Sequence, residues 1–117
     1  MNVTRFAAAP PYPVPSDHHG MACLRLQGMN AGPSTSLWVG VSQIEPGGRI
    51  DRGASPLEKH YVVLAGEVTF VTDAGETVLG AWDSVRLAPG EARAVENRST
   101  SPATLLLSMP LPPASQG

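Results

Sequence analysis

The chain has a single cysteine, Cys23, so no disulfide can form within it, and a reducing compartment fits. Charge is sparse and nearly balanced, with 8 Lys and Arg against 10 Asp and Glu, a net charge of −2 and a pI near 5.8. That excludes the strongly basic surface by which nucleic acid or an anionic membrane is held. Long apolar runs are missing as well. No stretch approaches the roughly 18 residues of a membrane span, and Met1 to Pro15 holds only short apolar pieces broken by prolines. No segment carries a sustained 3.6-residue apolar period, which argues against a helical fold. These absences predict a soluble, cytoplasmic protein with neither nucleic acid nor membrane among its partners.

What the chain does have is punctuation. Gly and Pro number 12 each among 117 residues, too many for long helices and suited to short strands joined by turns. A hydrophobic share of 42% is enough for one globular domain. Strand-like segments recur at short intervals: Ala22 to Leu26, Trp38 to Ile44, Lys59 to Val71 in two halves, Thr77 to Leu79, Ser84 to Leu87, Ala92 to Val95 and Ala103 to Met109. Glu45-Pro46-Gly47-Gly48 reads as a turn that ends the second of these. Gly66 marks a bend or a close backbone approach, and Thr72 to Glu76 a tight hairpin with Gly75 in a left-handed position. The expectation is an all-β barrel or sandwich. Residues 1–20 form an extended arm whose Tyr12 and Val14 pack on the domain or on a second subunit, 21–110 the barrel, and 111–117 a tail.

Two segments resemble the paired motifs of the cupin family, a double-stranded β-helix or jelly-roll barrel. The first is Pro46-Gly47-Gly48 followed by Glu58 through Glu67, with Val63-Leu64-Ala65-Gly66-Glu67 matching the family's strand. The second is Asp83 through Asn97, with Asp83, Gly90 and Asn97 in register. The resemblance covers about Trp38 to Met109 and implies a single-domain RmlC-like cupin. It also implies a metal held by three histidines and one carboxylate or amide, and here the chain departs from the family. The first two histidine slots fall at Gly53 and Ser55, or at Arg52 and Ala54. Lys59 takes the carboxylate slot and Arg93 the last histidine slot.

An ammonium and a guanidinium cannot ligate a cation, so the expectation is that no metal or other cofactor is bound. An alternative metal site would draw on His18, His19, Glu58 and His60. The period of two places Glu58 and His60 opposite Lys59 and Tyr61 on their strand. The adjacent pair His18-His19, in a proline-rich segment, reads first as a solvated loop, with a fold over the pocket mouth as the alternative.

With Lys59 and Arg93 pointing inward, the pocket is cationic. Two buried like charges require compensation, either from Glu45, Glu91 or Glu96 or from an anionic ligand gripped by the arginine fork and the lysine. Candidate catalytic residues are therefore Lys59 as a general base or Schiff-base amine, Arg93 as the anion anchor, and Tyr61 as a proton donor. Three functions remain open. One is a metal-independent isomerase, epimerase or lyase of a small anionic metabolite. A second is a non-catalytic ligand-binding or sensor barrel, and the third a metal-dependent, dioxygenase-like enzyme with unorthodox ligands. The fold family also suggests a homodimer, with the apolar closing strand Leu105-Leu106-Leu107 and the arm as surfaces to be covered.

Overall fold

The computed structural model describes residues 1–113. Eight strands make up the domain: β1 (His18–Gln27), β2 (Leu37–Gly53), β3 (Lys59–Ala65), β4 (Val68–Thr72), β5 (Gly75–Leu79), β6 (Ser84–Leu87), β7 (Arg93–Glu96) and β8 (Ala103–Pro110). They are hydrogen-bonded in the order β5-β4-β7-β2-β8-β3-β6, with β1 laid along β2, all antiparallel. Two single helical turns, Phe6–Ala8 and Met29–Ala31, are the helical elements of the described residues. None is long and apolar enough to cross a membrane. This is the all-β jelly-roll barrel expected.

The long strand β2 holds the barrel together. Its first half, Leu37 to Ile44, pairs with β8, and its second half, Arg49 to Gly53, pairs with β7. Pro46-Gly47-Gly48 therefore does not end the strand, as local composition suggests. It turns the strand from its pairing with β8 to its pairing with β7. Gly20 of β1 sits against this corner: a side chain at Gly48 would lie 2.6 Å from the Gly20 carbonyl oxygen, so the two backbones touch only because both residues lack Cβ. Asn97 clamps the same corner. Its Nδ2 donates to the carbonyls of Ile44 (3.0 Å) and Ser101 (2.9 Å). Its backbone exchanges hydrogen bonds with Gly47 and Gly48.

Gly66 is the close approach expected of it. It has φ +77°, and a Cβ there would lie 2.5 Å from the Pro102 carbonyl oxygen. The β4–β5 hairpin closes with Thr72 opposite Gly75, whose φ is +121°. Along β8 every second residue, Ala103, Leu105 and Leu107, is buried. These join Ile44, Ile50, Val63, Val68, Phe70 and Val95 in the core. β8 lies between β2 and β3 rather than at an edge, so its own edges are already covered. The edge strands are β5 and β6.

The proline-rich arm packs on its own domain. Tyr12 N donates to Cys23 O, Arg25 N donates to Pro10 O, and Tyr12 meets Trp38 edge-on at 5.6 Å. Val14 stays exposed. The arm gives way to β1 at His18, so the two histidines are strand residues and not a solvated loop. The last four residues of the predicted tail lie outside the described residues.

Candidate functional site

Strands β2, β3 and β7 and the end of the arm enclose one mouth of the barrel. A recess of about 190 Å³ is lined there by Pro15, Asp17, His18, Gly53, Ala54, Ser55, Lys59 and Arg93. A second, of about 110 Å³, shares Pro15, His18 and Lys59 with the first and runs inward to Tyr12, Trp38, Ser42 and Tyr61. Gly53, Ser55, Lys59 and Arg93, the four positions at which the motif spacing places metal ligands, thus converge on one cavity. Arg52, from the alternative spacing, points out and pairs with Asp73.

The three predicted site residues come together. Tyr61 is buried at 3% exposure and packs its ring 5.6 Å from Phe70. Burial pushes its hydroxyl up, with the Arg93 guanidinium opposing. Lys59, half-buried, has its ammonium pushed down by burial first and by Arg93 second, with Asp17 opposing. Arg93 is 5% exposed, and its Nε is buried without a hydrogen-bond partner. Neither Lys59 nor Arg93 forms a salt bridge among the described residues.

The glutamates expected as compensators do not supply one. Glu96 pairs with Arg98, Glu91 Oε1 accepts from Ala88 N, and Glu45 is exposed. Glu91 does line a small adjoining recess with Lys59 and Arg93, without a salt bridge to either. The carboxylate that lines the larger recess is Asp17, which sequence reasoning missed. Its one signal was its place beside His18 where the proline-rich arm gives way to a strand.

The side chains at the four motif positions do not fit a metal. A hydrogen, a hydroxymethyl group, an ammonium and a guanidinium offer no ligand set. The alternative donors do not converge. His18 lines the cavity, whereas the Nε2 of His19 faces Asp51 at 2.8 Å. Glu58, just before β3, and His60 on its outer face line a separate recess, where Glu58 bonds Arg86. Among the described residues no group of three or more His, Cys, Asp or Glu is placed to hold an ion.

His18 is held at the cavity by a side-chain hydrogen bond. Its Nδ1 lies 2.8 Å from Asp17 Oδ1. Burial lowers the imidazole's proton affinity, as do Arg93 and Lys59, while Asp17 opposes them. The same hydrogen bond holds the Asp17 carboxyl below its usual range. Arg25 lies over the outer aromatic pair, 4.2 Å from the Tyr12 ring and 4.9 Å from Trp38, and so props that wall.

Comparison with known proteins agrees with this architecture. The chain is 44% identical over 114 residues to the protein named beta-D-galactosidase Rv1717 of Mycobacterium tuberculosis, covering 97% of each. Its fold is similar to the polyketide cyclase RemF from Streptomyces resistomycificus, with a TM-score of 0.84 at 16% identity over 94% of this chain and 79% of that one. It is also similar to a cupin-superfamily sugar phosphate isomerase from Silicibacter pomeroyi, with a TM-score of 0.74 at 23% identity over 90% and 71%. The family model for the cupin domain matches residues 40–109, and the chain belongs to the cupin family.

Proposed function

We propose that the barrel mouth binds a monosaccharide-sized glycoside carrying an anionic group, a phosphate or a carboxylate, and hydrolyses its glycosidic bond without a metal. One observation carries the anionic part: the buried, unpartnered Nε of Arg93 at a cavity that Lys59 also lines. An unpaired buried donor is costly, and an anion that accepts from the guanidinium fork offsets that cost. Two recesses of about 190 and 110 Å³ suit a small ligand. Tyr12, Trp38 and Tyr61 offer apolar ring surface to a sugar's C–H face, and Ser42 and Ser55 offer hydroxyl partners. The sugar class is supported by the relative named a beta-D-galactosidase, which matches nearly the whole chain.

The test is binding and turnover in metal-free buffer. Thermal shift is read with galactose, galactose 6-phosphate, galacturonate and inorganic phosphate. Turnover is read with 4-nitrophenyl β-D-galactoside and its 6-phosphate. The phosphorylated or carboxylated sugar should shift the melting temperature while galactose does not, and Arg93→Gln should remove the difference. A shift with the 6-phosphate alone assigns a phosphate, and one with galacturonate alone a carboxylate. Equal turnover of the neutral and phosphorylated substrates, with no shift from any anion, overturns the anionic reading. Loss of activity on chelation, restored by one metal, overturns the metal-free reading.

A second reading, proton transfer at carbon by an isomerase, epimerase or lyase, is favoured by His18, its proton affinity lowered by burial, beside Lys59 in one recess, since such a pair also serves enolisation. It predicts exchange of substrate C–H with deuterated solvent and no release of aglycone. We propose a cytoplasmic setting, in which the buried Cys23 stays a thiol. We also propose a homodimer, because the edge strands β5 and β6 leave backbone groups to be covered. Light scattering returning 12.2 kDa, the monomer mass, across micromolar concentrations overturns the dimer.

A further inference from the structure

The cavity contains one pair of groups that ligand binding leaves unused, Asp17 and His18. Both are held by main-chain bonds rather than by a mobile loop. His18 N donates to Pro15 O at 2.9 Å, and Asp51 N donates to Asp17 O at 2.8 Å. His18 is paired with Ile50 in the β1–β2 ladder. The Asp17 carboxylate accepts from His18 Nδ1, at 2.8 Å. That bond places the ring proton on Nδ1 and leaves the lone pair on Nε2. His18 lines both recesses, and Lys59 lines both with it. The charged groups facing the imidazole are Asp17 from the arm, Lys59 from β3 and Arg93 from β7.

The neighbouring histidine shows that this placement is specific. His19, one residue on and on the opposite face, reaches Asp51 through Nε2 at 2.8 Å and lines neither recess. The two pairs share a chemistry, and only the first adjoins the cavity.

We propose that His18 is the general base of the reaction and Asp17 the positioning residue that holds its ring, an inference that rests on the glycoside hydrolysis argued above. His18 Nε2 takes a proton from a water molecule whose oxygen bonds to the anomeric carbon. The bond from that carbon to the leaving oxygen breaks, its electron pair stays on the leaving oxygen, and that oxygen takes a proton from the Lys59 ammonium. His18 then releases its proton to solvent, and solvent reprotonates Lys59. The sum is one water consumed, two hydroxyl-bearing products formed, and inversion at the anomeric carbon. The aspartate stays ionised throughout and stabilises the imidazolium.

The deciding experiment is the pH dependence of kcat with 4-nitrophenyl β-D-galactoside 6-phosphate for the full chain and for His18→Ala, Asp17→Asn and His19→Ala. His18→Ala should lower kcat about 10²- to 10³-fold with little change in KM, and added imidazole should restore part of it. Asp17→Asn should lower kcat by roughly tenfold and move the acid limb of the profile to lower pH, because the carboxylate favours the imidazolium. His19→Ala should match the wild type. Imidazole rescue and a moved limb are not expected of side chains that merely support the strand. A retained thermal shift with galactose 6-phosphate shows that each variant is folded.

If His18→Ala keeps its rate, or loses it without rescue while still binding the sugar phosphate, the dyad is overturned and the pocket reading stands. Binding by the wild type without turnover overturns the hydrolysis and the dyad together and leaves the anion pocket standing. Failure of the wild type to bind or turn over any of the sugars overturns the pocket reading and the dyad together.

Discussion

Lys59 of β3 and Arg93 of β7 line the same cavity, and among the described residues neither is paired with a carboxylate in a salt bridge. Burial first and the Arg93 charge second push the Lys59 ammonium down. A binding site kept open for an anion is stored destabilisation. Lys59→Met keeps the stem and removes the charge, so it should raise the melting temperature by roughly 2–5 °C at neutral pH. It should also abolish the thermal shift by galactose 6-phosphate. A lower melting temperature would mean that the ammonium contributes a stabilising contact.

Stability should depend on pH through His18. Its folded proton affinity lies below the ordinary histidine value, 6.5. Between those two points the unfolded chain binds a proton that the folded chain does not. The stability this group contributes is therefore intact above about pH 6.5 and is lost as pH falls through the folded value. Asp17, also lowered, acts the same way from its ordinary value of 3.8 downward, in a separate and more acid window. Urea unfolding between pH 7 and pH 5 should show a decline in the wild type that is absent from His18→Gln. An equal decline in both would assign the slope elsewhere.

Asn97 joins the site to the fold. It is 1% exposed, its Nδ2 donates to two carbonyls, and its Oδ1 accepts from Ser99 N and Ser99 Oγ. Asn97→Ala removes these side-chain bonds and leaves the buried Ile44 carbonyl without that donor, at a cost of about 2–4 kcal/mol in urea unfolding. Because Asn97 also braces the β2 corner that leads to Gly53 and Ser55, the folded fraction should bind anions more weakly. Gly66→Ala should cost a similar amount, about 3 kcal/mol, through a left-handed φ and a backbone clash with Pro102 and Ala103. Unlike Asn97→Ala, it should leave ligand affinity of the folded protein unchanged.

Most of the barrel was legible because its signals are local. Gly66 and Gly75 announce backbone conformations, and the alternation along Lys59, His60 and Tyr61 assigns inward and outward faces correctly. The two motifs, read together, placed Lys59 and Arg93 on one wall with Gly53 and Ser55, or else with Arg52 and Ala54, and the structure puts Gly53 and Ser55 there. What was not legible depends on partners distant in sequence. Pro46-Gly47-Gly48 looks like a turn because composition cannot reveal that β8 pairs on one side of it and β7 on the other. His18 and His19 looked like a solvated loop because nothing local records their pairing with Ile50 and Arg49 of β2. Asp17 escaped notice for the same reason: its carboxylate enters the cavity only once β1 is laid along β2.

The proposed division of labour between the two cations makes a prediction that separates binding from chemistry. Lys59 as proton donor matters in proportion to the basicity of the leaving oxygen, whereas Arg93 as anion anchor does not. A nitrophenolate departs without assistance, but an alkoxide needs a proton as the bond breaks. In Lys59→Met, kcat/KM should therefore fall about 100-fold more for a methyl β-galactoside 6-phosphate than for the 4-nitrophenyl one. In Arg93→Gln both substrates should lose by the same factor, because the lost contact is equally strong in ground and transition states whatever the aglycone. Any loss of anion affinity from removing the Lys59 charge is common to both substrates and cancels in the ratio. An equal loss for the two substrates in Lys59→Met would assign the donor elsewhere, and Tyr61, which lines the inner recess with Lys59, would be the residue to substitute next, as Tyr61→Phe.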